Sequence, residues 1–124
     1  MKTFKGSGVA LVTPFLQDGS IDYTALKALV ALQITGGTDF LVVQGTTGES
    51  PTLSQDEKRR VLDTVLEENN GKLPVVYGIG GNNTHGLEAL FSNLPSGVDG
   101  ILSVSPYYNK PIQKGIVAHF KMVA

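Results

Sequence analysis

Four short apolar runs constrain this chain more than any other feature. Each is closed by turn residues and followed by a helical pattern. They are GVALVTP (8–14), DFLVVQG (39–45), PVVYGIGG (74–81) and GILSVSP (100–106). The last three are nearly continuous rather than alternating, as strands buried on both faces of a parallel sheet read. The β-branched residues of LVV and VVY favour strand over helix.

Helical periodicity fills the intervals. DYTALKALVALQITGG (22–37) opens on a capping-type Asp22, places Leu26, Leu29, Val30 and Gln33 on one side, and stops at Gly36–Gly37. SQDEKRRVLDTVLEENNG (54–71) carries Ser54 and Glu57 in capping-box spacing, an apolar stripe of Val61, Leu62, Val65 and Leu66, and a terminal Asn70–Gly71. THGLEALFSNL (84–94) presents Leu87, Leu90 and Phe91, with Thr84 as its expected cap. A last helix is expected from near Pro111 through Ile112, Ile116, Val117 and Phe120. Strand starts recur roughly every 25–35 residues, the scale of one βα unit. Alternating βα predicts a parallel sheet with covering helices. Two architectures remain open: a doubly wound sheet, or part of a (β/α)8 barrel.

Composition narrows the function. The 124 residues suffice for one domain with a modest core. At 41% apolar and 17% charged, the chain is not of disordered composition. Net charge is −1, and the densest basic cluster, EKRR (57–60), reads as a solvated helix face rather than a nucleic-acid footprint. The absence of cysteine excludes a disulfide scaffold and a thiolate metal site. His85 and His119 lack metal-ligand spacing, so no metal is expected. Lys2 and Lys5 precede VALV (9–12), far short of the roughly 7–15 apolar residues of a signal-peptide core. No run approaches the roughly 20 of a membrane span. A cytoplasmic protein without membrane or nucleic-acid partners is expected.

Ligands of α/β folds collect at the carboxyl ends of strands. Four segments stand there: TPF (13–15), GTTGES (45–50), GIGGNN (78–83) and SPYYNKP (105–111). In GTTGES, Gly45 and Gly48 free the backbone for a tight turn whose amides can form an anion nest. Thr46 and Thr47 add hydroxyls, which can also pass a proton. Such a loop suits a carboxylate or a phosphate; a strand-to-helix turn rich in small polar residues is the other reading. The tyrosines of PYYN offer a second hydroxyl, or merely amphipathic packing. YGIGGNN has Asn83 where the dinucleotide fingerprint needs its third glycine, and it follows the third strand rather than the first.

GTTGESPTLS followed by VSPYYNKP, with GVALVTPF and GIGGNNT in their places, resembles the dihydrodipicolinate synthase (4-hydroxy-tetrahydrodipicolinate synthase) family. The resemblance runs from about residue 6 to the end. That family belongs to the Schiff-base class I aldolases that include N-acetylneuraminate lyase. The resemblance implies a (β/α)8 barrel followed by a small helical domain. It also implies condensation of pyruvate with aspartate 4-semialdehyde in lysine (diaminopimelate) biosynthesis, without metal or organic cofactor. The implied assembly is a homotetramer built as a dimer of dimers. Carried over by motif, Thr46 is the relay threonine and Thr47 binds the pyruvate carboxylate. Tyr108 is the relay tyrosine that reaches into a neighbouring subunit's site. Ser50, Asn82 and Tyr107 match positions at the subunit interface and the lysine feedback site. Gly86 stands where inhibited members carry a glutamate, which argues against lysine inhibition here.

IVAHFKMVA (116–124) stops inside an amphipathic pattern, and a full barrel needs about 250 residues. The expectation is therefore an α/β chain forming the first four βα units of the barrel over residues 1–124. The remaining barrel and the helical domain would be absent. In that family the Schiff-base lysine, a second relay tyrosine and the arginine for the aldehyde's carboxylate lie later in the chain. A fragment so defined is expected to be inactive alone and, with its inner face uncovered, to associate. Two alternatives stand beside the synthase. One is a sister aldolase of the N-acetylneuraminate lyase or keto-deoxy sugar acid type. The other is a non-catalytic half-barrel that binds carboxylates or regulates a partner.

Overall fold

A computed structural model of the chain describes residues 4–124; Lys2 lies outside them. Strands β1 (Gly8–Ala10), β2 (Phe40–Val43), β3 (Val75–Gly78) and β4 (Gly100–Leu102) alternate with helices α1 (Tyr23–Thr35), α2 (Gln55–Asn69), α3 (Thr84–Ser92) and α4 (Gln113–Val123). Every pairing is parallel, and the strand order β1-β2-β3-β4 repeats the chain order. A doubly wound sheet reverses its order at a switch point. This sheet does not, and it is wound in one direction as an arc of a barrel is.

The helix-facing side holds the main core. Leu26 and Val30 of α1 and Val61, Leu62 and Val65 of α2 bury against Leu11, Leu41, Val43 and Val75. A second cluster joins Ile79, Leu87 and Val123, with Phe91, Ile101 and Phe120 at its margin. The expected burial on both faces does not hold among the described residues. Burial alternates along β2, and on the far face Val12, Leu102 and Val104 are each about half exposed (48%, 52% and 50%). The registers put Ala10, Val42, Val76 and Gly100 in one row across that face. These are apolar residues fit for a barrel interior, and helices cover only the other side.

The strands are shorter than the apolar runs because the backbone leaves the sheet early. Ladder bonds extend one residue further, from Leu11 N–H to the Val42 carbonyl and from Ile79 N–H to the Leu102 carbonyl. Beyond that the chain turns into the rim loops.

Capping follows local chemistry. Asp22 Oδ1 accepts from Ala25 N–H at 2.8 Å, starting α1. At α2, Ser54 Oγ accepts from Glu57 N–H and Glu57 Oε2 accepts from Ser54 N–H, a complete capping box. Asn70 ends α2 in the left-handed region at φ 43°. The cap of α3 is Asn83 rather than Thr84: Asn83 Oδ1 accepts from Gly86 N–H, while the Thr84 hydroxyl pairs with His119 Nδ1 at 2.8 Å. Helix α4 starts two residues after Pro111, with an extended Ile112 at its cap position.

Hydrogen bonds from the Ser54 amide and hydroxyl hold the Glu57 carboxyl below the usual carboxylate range. Ser54→Ala should cost about 1 kcal/mol in urea unfolding. Because the folded pKa of Glu57 is depressed, its contribution is present above the unfolded carboxylate pKa and is lost as pH falls through the folded one. The stability difference between the wild type and Glu57→Gln should therefore close as pH drops from neutral to below about 4.

Candidate functional site

The carboxyl ends of the four strands share one rim, and the loop after β2 organises it. Gln44 leaves the strand at φ 60°, in the left-handed region. Gly45 is extended, Thr46–Gly48 form a 3₁₀ turn, and Glu49 turns back at φ 55°. A second 3₁₀ turn, Ser50–Thr52, leads to the Ser54 cap of α2. Gly48 N–H donates to the Gly45 carbonyl and Glu49 N–H to the Thr46 carbonyl. The leading amides of such a turn have no carbonyl behind them to bind. They stand beside the exposed Thr46 and Thr47, whose hydroxyls have no hydrogen-bond partner among the described residues. Two free hydroxyls next to orphan N–H groups form a cradle of donors, chemistry that suits an oxyanion.

Neighbouring loops hold this one in place. The buried Thr13 hydroxyl, from TPF, donates to the Gly48 carbonyl at 2.7 Å. A Cβ on Gly48 would stand 3.2 Å from the Leu11 carbonyl oxygen. At β3, a Cβ on Gly78 would stand 2.1 Å from the Gln44 carbonyl oxygen, so only glycine admits this approach. The third and fourth loops are joined by Asn109 Nδ2–H, which donates to the Asn82 carbonyl at 3.0 Å.

Two adjoining cavities result. One, of about 410 Å³, is lined by Gln44, Thr46, Ser50, Lys58, Leu102 and Tyr107 among others. The second, of about 360 Å³, includes Ser50, Lys58, Arg59, Tyr77, Asn82 and Gly86 in its wall. Burial pushes the Tyr77 phenol up, against the pull of the Arg59 guanidinium, so it stays a neutral donor. Arg59 is itself tied to both oxygens of Asp63 at 2.9 Å.

The candidate residues are distributed unevenly. Thr46, Ser50 and Tyr107 share the first cavity, and Ser50 and Asn82 share the second. Thr47 is exposed at the cradle and lines neither. Tyr108 also lies outside both; it is 89% exposed and its backbone is strained at φ 67°. Gln44 escaped the sequence reading, and Thr13, inside the rim segment TPF, had been given no role there. Gln44 is 4% exposed, and neither polar atom of its side chain has a partner among the described residues. An amide left so costs about 1–3 kcal/mol per unpaired group. The available signal was a polar residue closing the apolar run FLVV.

Among the described residues, no group of three or more His, Cys, Asp or Glu side chains could hold a metal ion. No described helix is long and apolar enough to cross a membrane.

A single-direction parallel sheet, helices on one side and a hydroxyl-bearing cradle on the carboxyl rim define an α/β chain of the (β/α)8 barrel class. Comparison with known proteins narrows this. Residues 3–124 match the model of the Dihydrodipicolinate synthetase family, and the chain belongs to that family. It is 58% identical to the 4-hydroxy-tetrahydrodipicolinate synthase of Flavobacterium psychrophilum, over 100% of this chain and 43% of that protein. The crystal structure of a dihydrodipicolinate synthase from Bacillus anthracis superposes with a TM-score of 0.93 at 43% identity, over 99% of this chain and 42% of that one. CdNal from Clostridium difficile, solved in complex with mannosamine, gives 0.89 at 28% identity, over 98% and 43%. The chain thus spans less than half the length of these relatives and corresponds to the N-terminal part of their barrel.

Gly78→Ala tests how the rim is held. The added methyl must displace the β2 carboxyl end, at a cost of about 1–3 kcal/mol. Amide resonances of residues 44–48 should shift more than those of α1 or α4.

Proposed function

We propose that this chain supplies the N-terminal part of a lyase that condenses pyruvate with aspartate 4-semialdehyde through a lysine Schiff base, in lysine biosynthesis. The observation that carries this reading is the Thr46–Thr47 cradle, with free hydroxyls beside unpaired amides on the carboxyl rim. A carboxylate placed there accepts hydrogen bonds from the Thr47 hydroxyl and amide. The keto carbon then faces a lysine supplied by later barrel strands.

Imine formation fixes the proton traffic. The amine adds to the ketone, its nitrogen loses a proton, and the carbinolamine oxygen gains protons and leaves as water. Thr46 can accept one proton and give another without becoming charged, as part of a hydroxyl chain. Tyr108 completes that chain from a neighbouring subunit. Its outward position on a strained backbone supports this assignment, since within one chain it approaches neither cavity. Tyr107 packs at the same interface, and the working assembly is a cytoplasmic homotetramer, a dimer of dimers. No organic or metal cofactor takes part.

A sister aldolase is the second reading, favoured by the likeness to CdNal. SPYYNKP, which matches the synthase pattern, favours the first. Feedback by lysine is not part of the proposal. The wall of the cavity shared by Ser50 and Asn82 contains Lys58, Arg59 and Gly86 but no carboxylate to receive an ammonium group.

Borohydride trapping with pyruvate, read by intact mass, tests the division of labour. The 124-residue chain should give no adduct. The same chain, extended with the C-terminal segment of the Flavobacterium protein, should give one adduct per chain. A stoichiometric adduct on the 124 residues alone would overturn the reading. In the extended chain, Thr46→Val should lower kcat by about 100-fold, the lower range for a lost proton-transfer group.

A further inference from the structure

The second rim cavity takes no part in the chemistry proposed above. Its volume of about 360 Å³ lies within the roughly 300–1,000 Å³ of small-molecule sites. A polar half of its wall, formed by Ser50, Lys58, Arg59, Tyr77 and Asn82, faces leucines of α2 and α3. Among the described residues no aspartate or glutamate lines it. The cavity is therefore cationic, although the chain as a whole carries −1.

Its donors are unspent. Ser50, Lys58, Tyr77 and Asn82 are half-buried, and their side chains have no hydrogen-bond or ion-pair partner among the described residues. The buried unpartnered side-chain atoms belong to Gln44, Ser103 and His119 instead, so the polar atoms of these four remain accessible. The cations of α2 are engaged unequally. Arg60 lies over the Tyr23 ring, 4.6 Å from its centroid. Arg59 gives only its Nε–H to Asp63, and its two terminal nitrogens keep their donors. A guanidinium fork matches a carboxylate, and an ammonium is a point charge that any oxyanion accepts. A wall of cations and neutral donors repels an amine and receives an anion.

We propose that the second cavity binds a small dicarboxylate, one carboxylate at the Arg59 fork and the other at the Lys58 ammonium, and that its occupancy opposes ligand binding in the Thr46 cavity. The link is physical, because Ser50 and Lys58 stand in the wall of both cavities. A dicarboxylate engages Lys58 and adds negative charge beside the cradle, where pyruvate is also an anion. The opposition rests on the pyruvate reading of that cradle; the dicarboxylate site does not.

Succinate is the probe, and the extended chain is the protein. Calorimetry should show saturable binding at one site per chain, weakening as salt rises. Cadaverine, a dication of similar length, should not bind. Lys58→Gln and Arg59→Gln should each weaken succinate about tenfold or more, the range of a lost charge-assisted hydrogen bond. Asn82→Asp puts a negative charge in the wall of the second cavity only, and should abolish binding. Saturating succinate should raise the apparent dissociation constant of pyruvate several-fold, and pyruvate should weaken succinate by the same factor. If a variant fails to fold, the wild type decides: the Asn82 side-chain amide resonances must move on adding succinate. Stationary Asn82 resonances, or succinate binding that Asn82→Asp leaves unchanged, would place the ligand in the cradle and overturn the inference. So do cadaverine binding in place of succinate, inorganic phosphate binding as tightly, and pyruvate affinity unchanged by succinate. In each of these cases the pyruvate reading stands as long as borohydride still traps the adduct. If no pyruvate adduct forms while succinate binds, that reading falls and the dicarboxylate site remains.

Discussion

The main chains of β2 and β3 meet so closely at their carboxyl ends that no Cβ fits between them. This contact, Gly78 against the Gln44 carbonyl, sets the rest of the rim. It holds the end of β2 where the chain must turn left-handed. The turn then starts the Thr46–Gly48 loop, and Thr13 ties that loop back to the segment after β1. The cradle is thus a product of strand packing, and its hydroxyls stand on rigid supports rather than on a free loop. The function proposed for it, orienting a small carboxylate, would benefit from such preorganisation.

Much of the fold was legible in the sequence, for identifiable reasons. Strand starts and the first two helices followed from apolar runs and side-chain caps, which act within a few residues. Asp22 and the Ser54–Glu57 box could be named because capping is local. The choice between a doubly wound sheet and a barrel arc was not legible from periodicity. It depends on which side each helix crosses, and both architectures present the same βα alternation. The family resemblance resolved it. The Thr84 cap failed because a partner 35 residues away, His119, takes its hydroxyl and leaves capping to Asn83.

The site was legible in part. Thr46 and Thr47 stand out because small hydroxyl residues between glycines at a strand end have few structural reasons to cluster. Gln44 did not, because one polar residue closing an apolar run looks like the end of a strand. Its meaning depends on burial and on the absence of a partner, which only three dimensions reveal. The two-face burial expected of the runs describes what their composition suits. The described residues cover one face, and Leu102 and Val104 on the other await cover of the same character.

The strand order has a consequence for how the chain is made. Each strand pairs with the one synthesised before it, α2 packs on α1, and α4 packs on α3. Partners therefore leave the ribosome in the order in which they dock, and β2 can zip onto β1 before β3 exists. Growth of the sheet needs no distant segment to arrive first, which keeps its loop-closure cost low at every stage. The strand exposed at the growing edge is, at each moment, the template for the next one to emerge.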